Sequence, residues 1–208
     1  MYPKYIKRIL DLVLSILITP IVLPVIGICA LLIKFEDGGP VFYCGNRLGK
    51  NGRIFKMYKL RSMKVNASDI RNADGSTFNS ENDSRLMRFG RVFRETSIDE
   101  LPQVLNVLFG NMSFIGPRPD LPEHIHYYKN DEVRKLEVYP GISGYNQAYF
   151  RNSAEWKHRL KNDLYYVENI SFILDVKIIF KTIIGVFFKK SIYSSGEIKR
   201  ESGVNING

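Results

Sequence analysis

The stretch "LVLSILITPIVLPVIGICALLI", Leu12–Ile33, contains no charged residue. At about 1.5 Å per residue, a straight helix of this length is about 33 Å long, enough to cross the hydrocarbon core of a bilayer. A core helix of a small domain rarely stays free of charge over such a length. The stretch therefore predicts a membrane segment, and the rest of the chain must be placed around it.

Two prolines, Pro20 and Pro24, lie in the middle of this segment and predict a bend, because each removes a helix hydrogen bond. The hydroxyls of Ser15 and Thr19 are candidate partners for the carbonyls that the prolines leave free. Positive flanks favour the cytoplasmic side, and they occur on both sides of the segment, at Lys4, Lys7, Arg8 and Lys34. A re-entrant hairpin that enters the membrane and returns accounts for both features, and a kinked span is the alternative.

The whole chain has 208 residues and a formal net charge of +9. This balance indicates an anionic partner, which is a nucleic acid, an anionic membrane surface or a phosphorylated ligand. A nucleic-acid binder would explain the charge but not the membrane segment, so we expect no nucleic-acid partner. The two cysteines form neither a disulfide framework nor a zinc spacing, which favours the reducing, cytosolic side.

After the membrane segment, Val41–Tyr43 and Ile54–Leu60 alternate and are β-prone, and the "GKNG" between them predicts a β-hairpin. Lys64–Ser84 is polar and rich in turn residues, which predicts a long exposed loop. Ser191–Gly208 is small and polar without a pattern, which predicts a loose tail.

Two later segments have amphipathic patterns. Arginines recur every third residue among apolar side chains, at Arg85, Arg88, Arg91 and Arg94. This predicts a helix whose arginine face is either solvated or laid on anionic lipid. Ser171–Lys190 places Ile173, Val176, Phe180, Ile183 and Phe187 at steps of three and four residues. That helix belongs either to the core or to the membrane surface, which its terminal lysines favour.

An adjacent acidic pair, Asp99 and Glu100, stands just before Pro102. One interpretation is structural, because Ser97 and Glu100 match the S-x-x-E capping box. Proline is better placed at the first turn of a helix, so we favour a helix from Pro102 to Phe109 that ends at Gly110. The pair would then lie outside the positive end of that helix, which would keep Asp99 ionised and attract a phosphate.

Such a position suits phosphoryl chemistry. Carboxylates act as nucleophiles on phosphorus, which makes Asp99 a candidate nucleophile. Glu100 is a candidate Mg²⁺ ligand, since this ion often uses one or two carboxylates plus substrate phosphates. Arg118 lies between Pro117 and Pro119, so it is either a stiffly held phosphate clamp or a solvated turn residue.

These residues lie in blocks that together resemble one family over nearly the whole chain. The blocks are, in order, "KRILD", "GPVFY", "NRLGKNGRIFKMYKLRSM", "RFGRVFRETSIDELPQVLNVLFGNMSFIGPRP", "YPGISGYNQ", "FRNS" and "DLYYVENISFILDVKI". The chain resembles the bacterial sugar transferases, the monotopic phosphoglycosyl transferases that start glycan assembly on a lipid carrier. The resemblance implies an α+β, mainly helical fold with a re-entrant N-terminal membrane helix, interfacial amphipathic helices and a small β-hairpin.

The resemblance also implies a reaction and the residues for it. A sugar-1-phosphate would pass from a UDP-sugar to polyprenol (undecaprenyl) phosphate with release of UMP, through a covalent phosphosugar-aspartate and with Mg²⁺ bound. Asp99 would be the nucleophile and Glu100 its metal-binding neighbour. The implied substrate-binding residues are Lys59, Arg94, Arg118 and Gln147.

The same resemblance implies an organisation and a location. Residues 1–35 would form the membrane anchor, residues 36–190 the catalytic domain and residues 191–208 a flexible tail. The anchor would contact lipids of the bacterial inner (cytoplasmic) membrane, with the catalytic domain on the cytoplasmic face. Whether the protein forms a homo-oligomer is left open by the resemblance. The alternative function is a non-catalytic basic membrane module that binds anionic lipid or a partner protein. Where the family often reads "WAQVNGRN", this chain reads "YNQAYFRN", so the sugar is not identified.

Overall fold

The computed structural model describes residues 1–68, 70, 80, 83–150 and 156–187. The predicted mainly helical α+β fold is confirmed. The α-helices are α1 Lys7–Asp37, α2 Arg88–Thr96, α3 Gln103–Leu108, α4 Tyr145–Tyr149, α5 Trp156–Glu168 and α6 Phe172–Phe187. The strands are β1 Phe42–Leu48, β2 Ile54–Leu60, β3 Ser113–Ile115 and β4 Gly141–Ser143. β1 and β2 form an antiparallel pair, and β3 and β4 form a parallel pair.

Helix α1 contains the predicted membrane segment, and it is uninterrupted. Pro20 and Pro24 lie inside it, so the chain does not fold back at the prolines, and one continuous helix stands in place of the predicted hairpin. The Thr19 hydroxyl donates to the Ser15 carbonyl at 2.6 Å. That carbonyl is not one freed by a proline, so the predicted role of this hydroxyl is wrong. A Thr hydroxyl bonded to the carbonyl four residues earlier often bends a helix.

Both ends of α1 are bound to the same body of the protein. Near the start, Arg8 donates to the carbonyls of Met112 and Val107 at 2.9 and 3.2 Å. At the other end, Asp37 forms an ion pair with Arg61. A helix that crossed a bilayer would carry its two ends to opposite faces, so these contacts favour the re-entrant placement over a kinked span.

The outer surface of α1 is strongly apolar. The helical segment Tyr2–Asp37 is long and apolar enough to cross a membrane by length and composition. Its buried positions form one stripe along the helix, at Asp11, Ser15, Val22, Ile26, Cys29 and Ile33. Large apolar side chains on the rest of the surface are exposed, among them Leu12, Ile16, Leu17, Ile21, Ile28 and Leu31. The protein therefore associates with a membrane through this helix.

The β-hairpin of β1 and β2 forms where it was predicted, but β1 is longer than Val41–Tyr43. It begins at Phe42 and runs to Leu48, because all seven of its residues pair with β2. Asn51 and Gly52 both have positive φ, as the Asn-Gly turn between two strands requires. The predicted loop Lys64–Ser84 lies partly outside the described residues. Its ends are close together, since the Lys64 ammonium donates to the Ser84 carbonyl at 2.9 Å. The predicted tail lies outside the described residues.

The row of arginines is not one helix face, because α2 begins only at Arg88. Arg85 precedes the helix and pairs with Asp83. Arg88 and Arg91 are exposed, whereas Arg94 donates to the Ser62 hydroxyl at 2.9 Å. The row therefore divides into one structural residue, two surface residues and one residue that faces the acidic pair.

Helix α6 carries its predicted apolar row on the outside. Ile173, Val176, Phe180 and Ile183 are exposed, whereas Asp175 and Ile178 are buried. The row therefore does not pack into the core, which favours the membrane-surface alternative. The side chain of Phe187 and the lysines at 189 and 190 lie outside the described residues.

Candidate active site

Asn106 of helix α3 bonds this helix to the β-hairpin, and its side chain has no exposed surface. Its amide nitrogen donates to the Lys56 carbonyl at 2.8 Å, and its amide oxygen accepts from the Tyr58 backbone N–H at 2.9 Å. These bonds fix the register of α3 against β2. They place Lys59, the residue after Tyr58 on the strand, beside the turn that precedes α3.

That turn carries the acidic pair. Ile98–Glu100 forms a short 3₁₀ helix between α2 and α3, and no side chain caps it. Ser97 has a φ of 59°, in the left-handed region, so the capping-box interpretation is wrong. Helix α3 begins after Pro102 and ends before Gly110, whose φ is 87°. The predicted position of the pair, just ahead of this helix, is confirmed.

Three predicted binding residues meet at the pair. The Lys59 ammonium lies 2.6 Å from Oε1 of Glu100, and Nη2 of Arg118 lies 3.2 Å from the same atom. Arg94 is near enough for its charge to act on Asp99. Three cations thus surround two adjacent carboxylates, which leaves the cluster with a net positive charge.

The two carboxylates titrate differently. Burial raises the pKa of Asp99 to about 6, against the opposing charge of Lys59 and with support from the charge of Glu100. Burial also acts on Glu100, but its ion pairs with Lys59 and Arg118 prevail and lower its pKa to about 2. The sequence predicted that the end of a helix keeps Asp99 ionised. This cause is wrong, because α3 is short and burial has the largest effect on the pKa of Asp99. Asp99 is nevertheless mostly ionised at neutral pH.

Asp99 is 8% exposed. Within the described part of the chain, no hydrogen bond or ion pair engages its carboxylate. Both ion pairs of Glu100 use Oε1, so Oε2 keeps its lone pairs for another partner. No group of three or more metal-ligating side chains occurs among the described residues. Two carboxylates with open oxygens fit an ion such as Mg²⁺, which takes its remaining ligands from phosphates and water.

Arg118 is held by its backbone more than by its side chain. Pro117 and Pro119 are buried, and the Pro117 carbonyl accepts from the Gly141 N–H at 2.9 Å. The side chain itself is 49% exposed. Its guanidinium therefore has donors left for a ligand in addition to the contact with Glu100.

Gln147 does not join this charged cluster. It lies on α4, next to Gly144, and no hydrogen bond or ion pair links it to the acidic pair within the described residues. Both atoms of its amide group are buried without a partner there. Its role as a substrate residue stays a prediction.

Sequence reasoning missed the residues that hold the site. Asn106 and Ser62 are two of these residues. Others form a buried network around Asp120, two residues after Arg118. Lys135 bonds Asp120 at 2.6 Å and Asp163 at 2.8 Å, and Tyr128 donates to Asp120 at 2.7 Å. The available signal was a polar residue inside an apolar run, as in "VLNVL", which indicates a buried and satisfied side chain.

Comparison with known proteins identifies the family of this chain. The family model described as bacterial sugar transferase matches residues 2–189, nearly the whole chain. The chain belongs to the bacterial sugar transferase family. Within that family, an uncharacterized sugar transferase, EpsL of Bacillus subtilis, is 36% identical over 195 residues, which cover 94% of both chains.

Two longer members of the bacterial sugar transferase family have more specific names. UDP-N-acetylgalactosamine-undecaprenyl-phosphate N-acetylgalactosaminephosphotransferase of Aeromonas hydrophila is 39% identical over 86% of this chain and 43% of its own length. Undecaprenyl-phosphate galactose phosphotransferase of Salmonella typhimurium is 36% identical over 86% of this chain and 40% of its own length. The chain thus spans less than half of each of these two relatives.

Proposed function

We propose that this protein transfers a sugar-1-phosphate from a UDP-sugar to polyprenol phosphate, with Asp99 as the nucleophile. The observation that carries the proposal is the buried Asp99 carboxylate, which has no partner in the described part of the chain and is surrounded by Lys59, Arg94 and Arg118. A carboxylate is a weak nucleophile toward an anionic phosphate unless nearby cations offset the repulsion. The names of the two longer relatives support a phosphosugar donor and an undecaprenyl-phosphate acceptor.

In the first step, an oxygen of Asp99 attacks the phosphorus that carries the sugar. The bond from that phosphorus to the bridging oxygen of the diphosphate breaks, and UMP leaves with that oxygen and the electron pair. Lys59 and Arg118 neutralise the negative charge that grows on the leaving phosphate. The product is a mixed anhydride between Asp99 and the phosphosugar.

In the second step, a phosphate oxygen of the polyprenol phosphate attacks the same phosphorus. The bond to Asp99 breaks, the carboxylate is restored, and the sugar leaves on a polyprenyl diphosphate. Because each step displaces one oxygen from phosphorus, no oxidant or reductant is needed. The exposed apolar surfaces of α1 and α6 keep the site close to a membrane-bound acceptor, and the basic flanks of α1 favour the cytoplasmic face of the inner membrane.

Oε2 of Glu100 and the second oxygen of Asp99 are the atoms that would hold Mg²⁺. When bound, the ion supplies charge neutralisation at the diphosphate. Glu100 suits this role because its low pKa keeps it ionised throughout the physiological range. Lys59 and Arg118 hold its carboxylate in place through the other oxygen.

The test is the intact mass of the detergent-solubilised protein after mixing with a panel of UDP-sugars and Mg²⁺, without lipid acceptor. The wild type should gain the mass of one phosphosugar and release one UMP. Asp99→Asn keeps the size of the side chain and removes the anion, so it should form no adduct. An adduct on Asp99→Asn would show that another residue is the nucleophile.

Glu100→Gln separates metal binding from nucleophilic attack. We expect it to slow the formation of the adduct and to recover part of the rate at higher Mg²⁺ concentration. The alternative, a non-catalytic basic membrane module, predicts that neither the wild type nor this variant releases UMP. UMP release by the wild type, lost in Asp99→Asn, would exclude that module.

A further inference from the structure

Gln103 begins helix α3, four residues after Asp99. It is 2% exposed, and its amide nitrogen is buried without a hydrogen-bond partner in the described part of the chain. A buried donor without a partner is destabilising, so proteins retain few of them. The mechanism described above does not use this side chain.

The position of Gln103 follows from its two neighbours along the helix. Residues three apart lie on one face, which puts Glu100, Gln103 and Asn106 in a row. Leu101 and Pro102 have helical dihedral angles, so the row continues through the turn. Both ends of the row contact β2, Glu100 through Lys59 and Asn106 through the Tyr58 N–H. Gln103 therefore lies between Glu100 and Asn106 along the chain, four residues after Asp99.

Two groups along this part of the chain each lack a partner. Asp99 is a buried acceptor and Gln103 a buried donor, one helical turn apart, yet they are not bonded to each other. Glutamine side chains readily bond an aspartate at this spacing when the geometry allows it. A third group that accepts from Gln103 and attaches to Asp99 would satisfy both.

We propose that Gln103 binds the phosphoryl group while Asp99 carries it, by donating its amide N–H to an oxygen of that group that stays on phosphorus. This inference rests on the proposed function and adds a residue to it. A neutral donor is suited to this place, because three cations already supply the positive charge. The amide orients the phosphoryl group without raising the affinity for free anions as a fourth cation would.

The experiment compares Gln103→Met with the wild type. Methionine has a similar length and no donor. Removing one hydrogen bond to a charged group typically lowers a rate by about ten- to a hundredfold. We therefore expect UMP release in a single turnover to slow by this factor. The melting temperature without substrate should stay unchanged or rise, because a buried amide without a partner is removed. Leu105→Met, on another face of α3, is the control and should leave both measurements unchanged.

Each other outcome overturns the inference. Unchanged UMP release in Gln103→Met would show that the amide does not touch the phosphoryl group. A lower melting temperature would show that the amide stabilises the free protein, through a bound water for example, whatever happens to the rate. A wild type that releases no UMP with any UDP-sugar would refute the proposed function itself, and that result is distinct from the other two.

Discussion

Lys59→Met removes the cation that acts most strongly on the nucleophile. Burial raises the pKa of Asp99 to about 6, and Lys59 is the largest of the effects that oppose this rise. An opposite charge within about 4–6 Å typically lowers the pKa of a carboxyl by about 1–3. We therefore expect the pKa of Asp99 to rise from about 6 to about 8 in this variant.

The consequence is a shift of the acid limb of the pH–rate profile. The nucleophile must be ionised, so activity is present above the pKa of Asp99 and is lost as the pH falls through it. With a pKa of about 8 instead of about 6, the ionised fraction at pH 7 drops from about nine-tenths to about one-tenth, an approximately tenfold loss. Raising the pH should restore this part of the activity, whereas the part lost through weaker phosphate binding should persist.

The assay is single-turnover UMP release measured from about pH 5 to about pH 9. Lys56→Met is the matched control, because Lys56 lies on the same strand but its side chain is exposed on the opposite face. The control should keep the acid limb of the wild type. An acid limb that stays near pH 6 in Lys59→Met would refute the argument that Lys59 controls the protonation of Asp99.

Three further predictions concern binding, packing and topology. Arg118→Lys should lower turnover strongly with little change in melting temperature, because the guanidinium is half exposed and lysine lacks its planar fork of donors; near-normal turnover would make Arg118 a turn residue. Gly90→Ala should destabilise the protein by about 1–3 kcal/mol, since a Cβ there overlaps the Ser62 carbonyl. Gly27→Ala has open space around the new Cβ and should not destabilise it, so equal melting temperatures of the two variants would contradict this prediction. Reactive tags fused to the two chain ends should both be shielded from the periplasm in intact cells, and periplasmic labelling at the N-terminus would favour a kinked span.

Local features of the fold could be predicted from the sequence because they depend on neighbouring residues. The composition of the charge-free run around Pro20 and Pro24 indicates a membrane helix. Asn51 and Gly52 indicate the turn between β1 and β2, because both residue types readily take the positive φ that this turn requires. The bounds of α3 follow from Pro102 and Gly110 in the same way. The acidic pair and the stiff arginine were likewise visible as a motif.

Only the tertiary structure decided how those pieces act together. The arginines of one regular row received different roles because α2 begins at Arg88 and turns only Arg94 toward Ser62. The prolines of α1 did not break the helix, and the contacts of Arg8 with residues about a hundred positions away bind its start to α3 and the residues that follow α3.

The chemistry of the site shows the same division. Sequence alone identified Asp99 as the candidate nucleophile, but it assigned its ionisation to a helix end. In the folded chain, burial raises the pKa of Asp99 and Lys59 opposes the rise, and Lys59 is in place because Asn106 bonds α3 to β2 across about fifty residues of sequence. Residue type and spacing thus determine which groups are available, whereas desolvation and charge proximity arise only when distant segments meet, and these two effects determine what a carboxylate does.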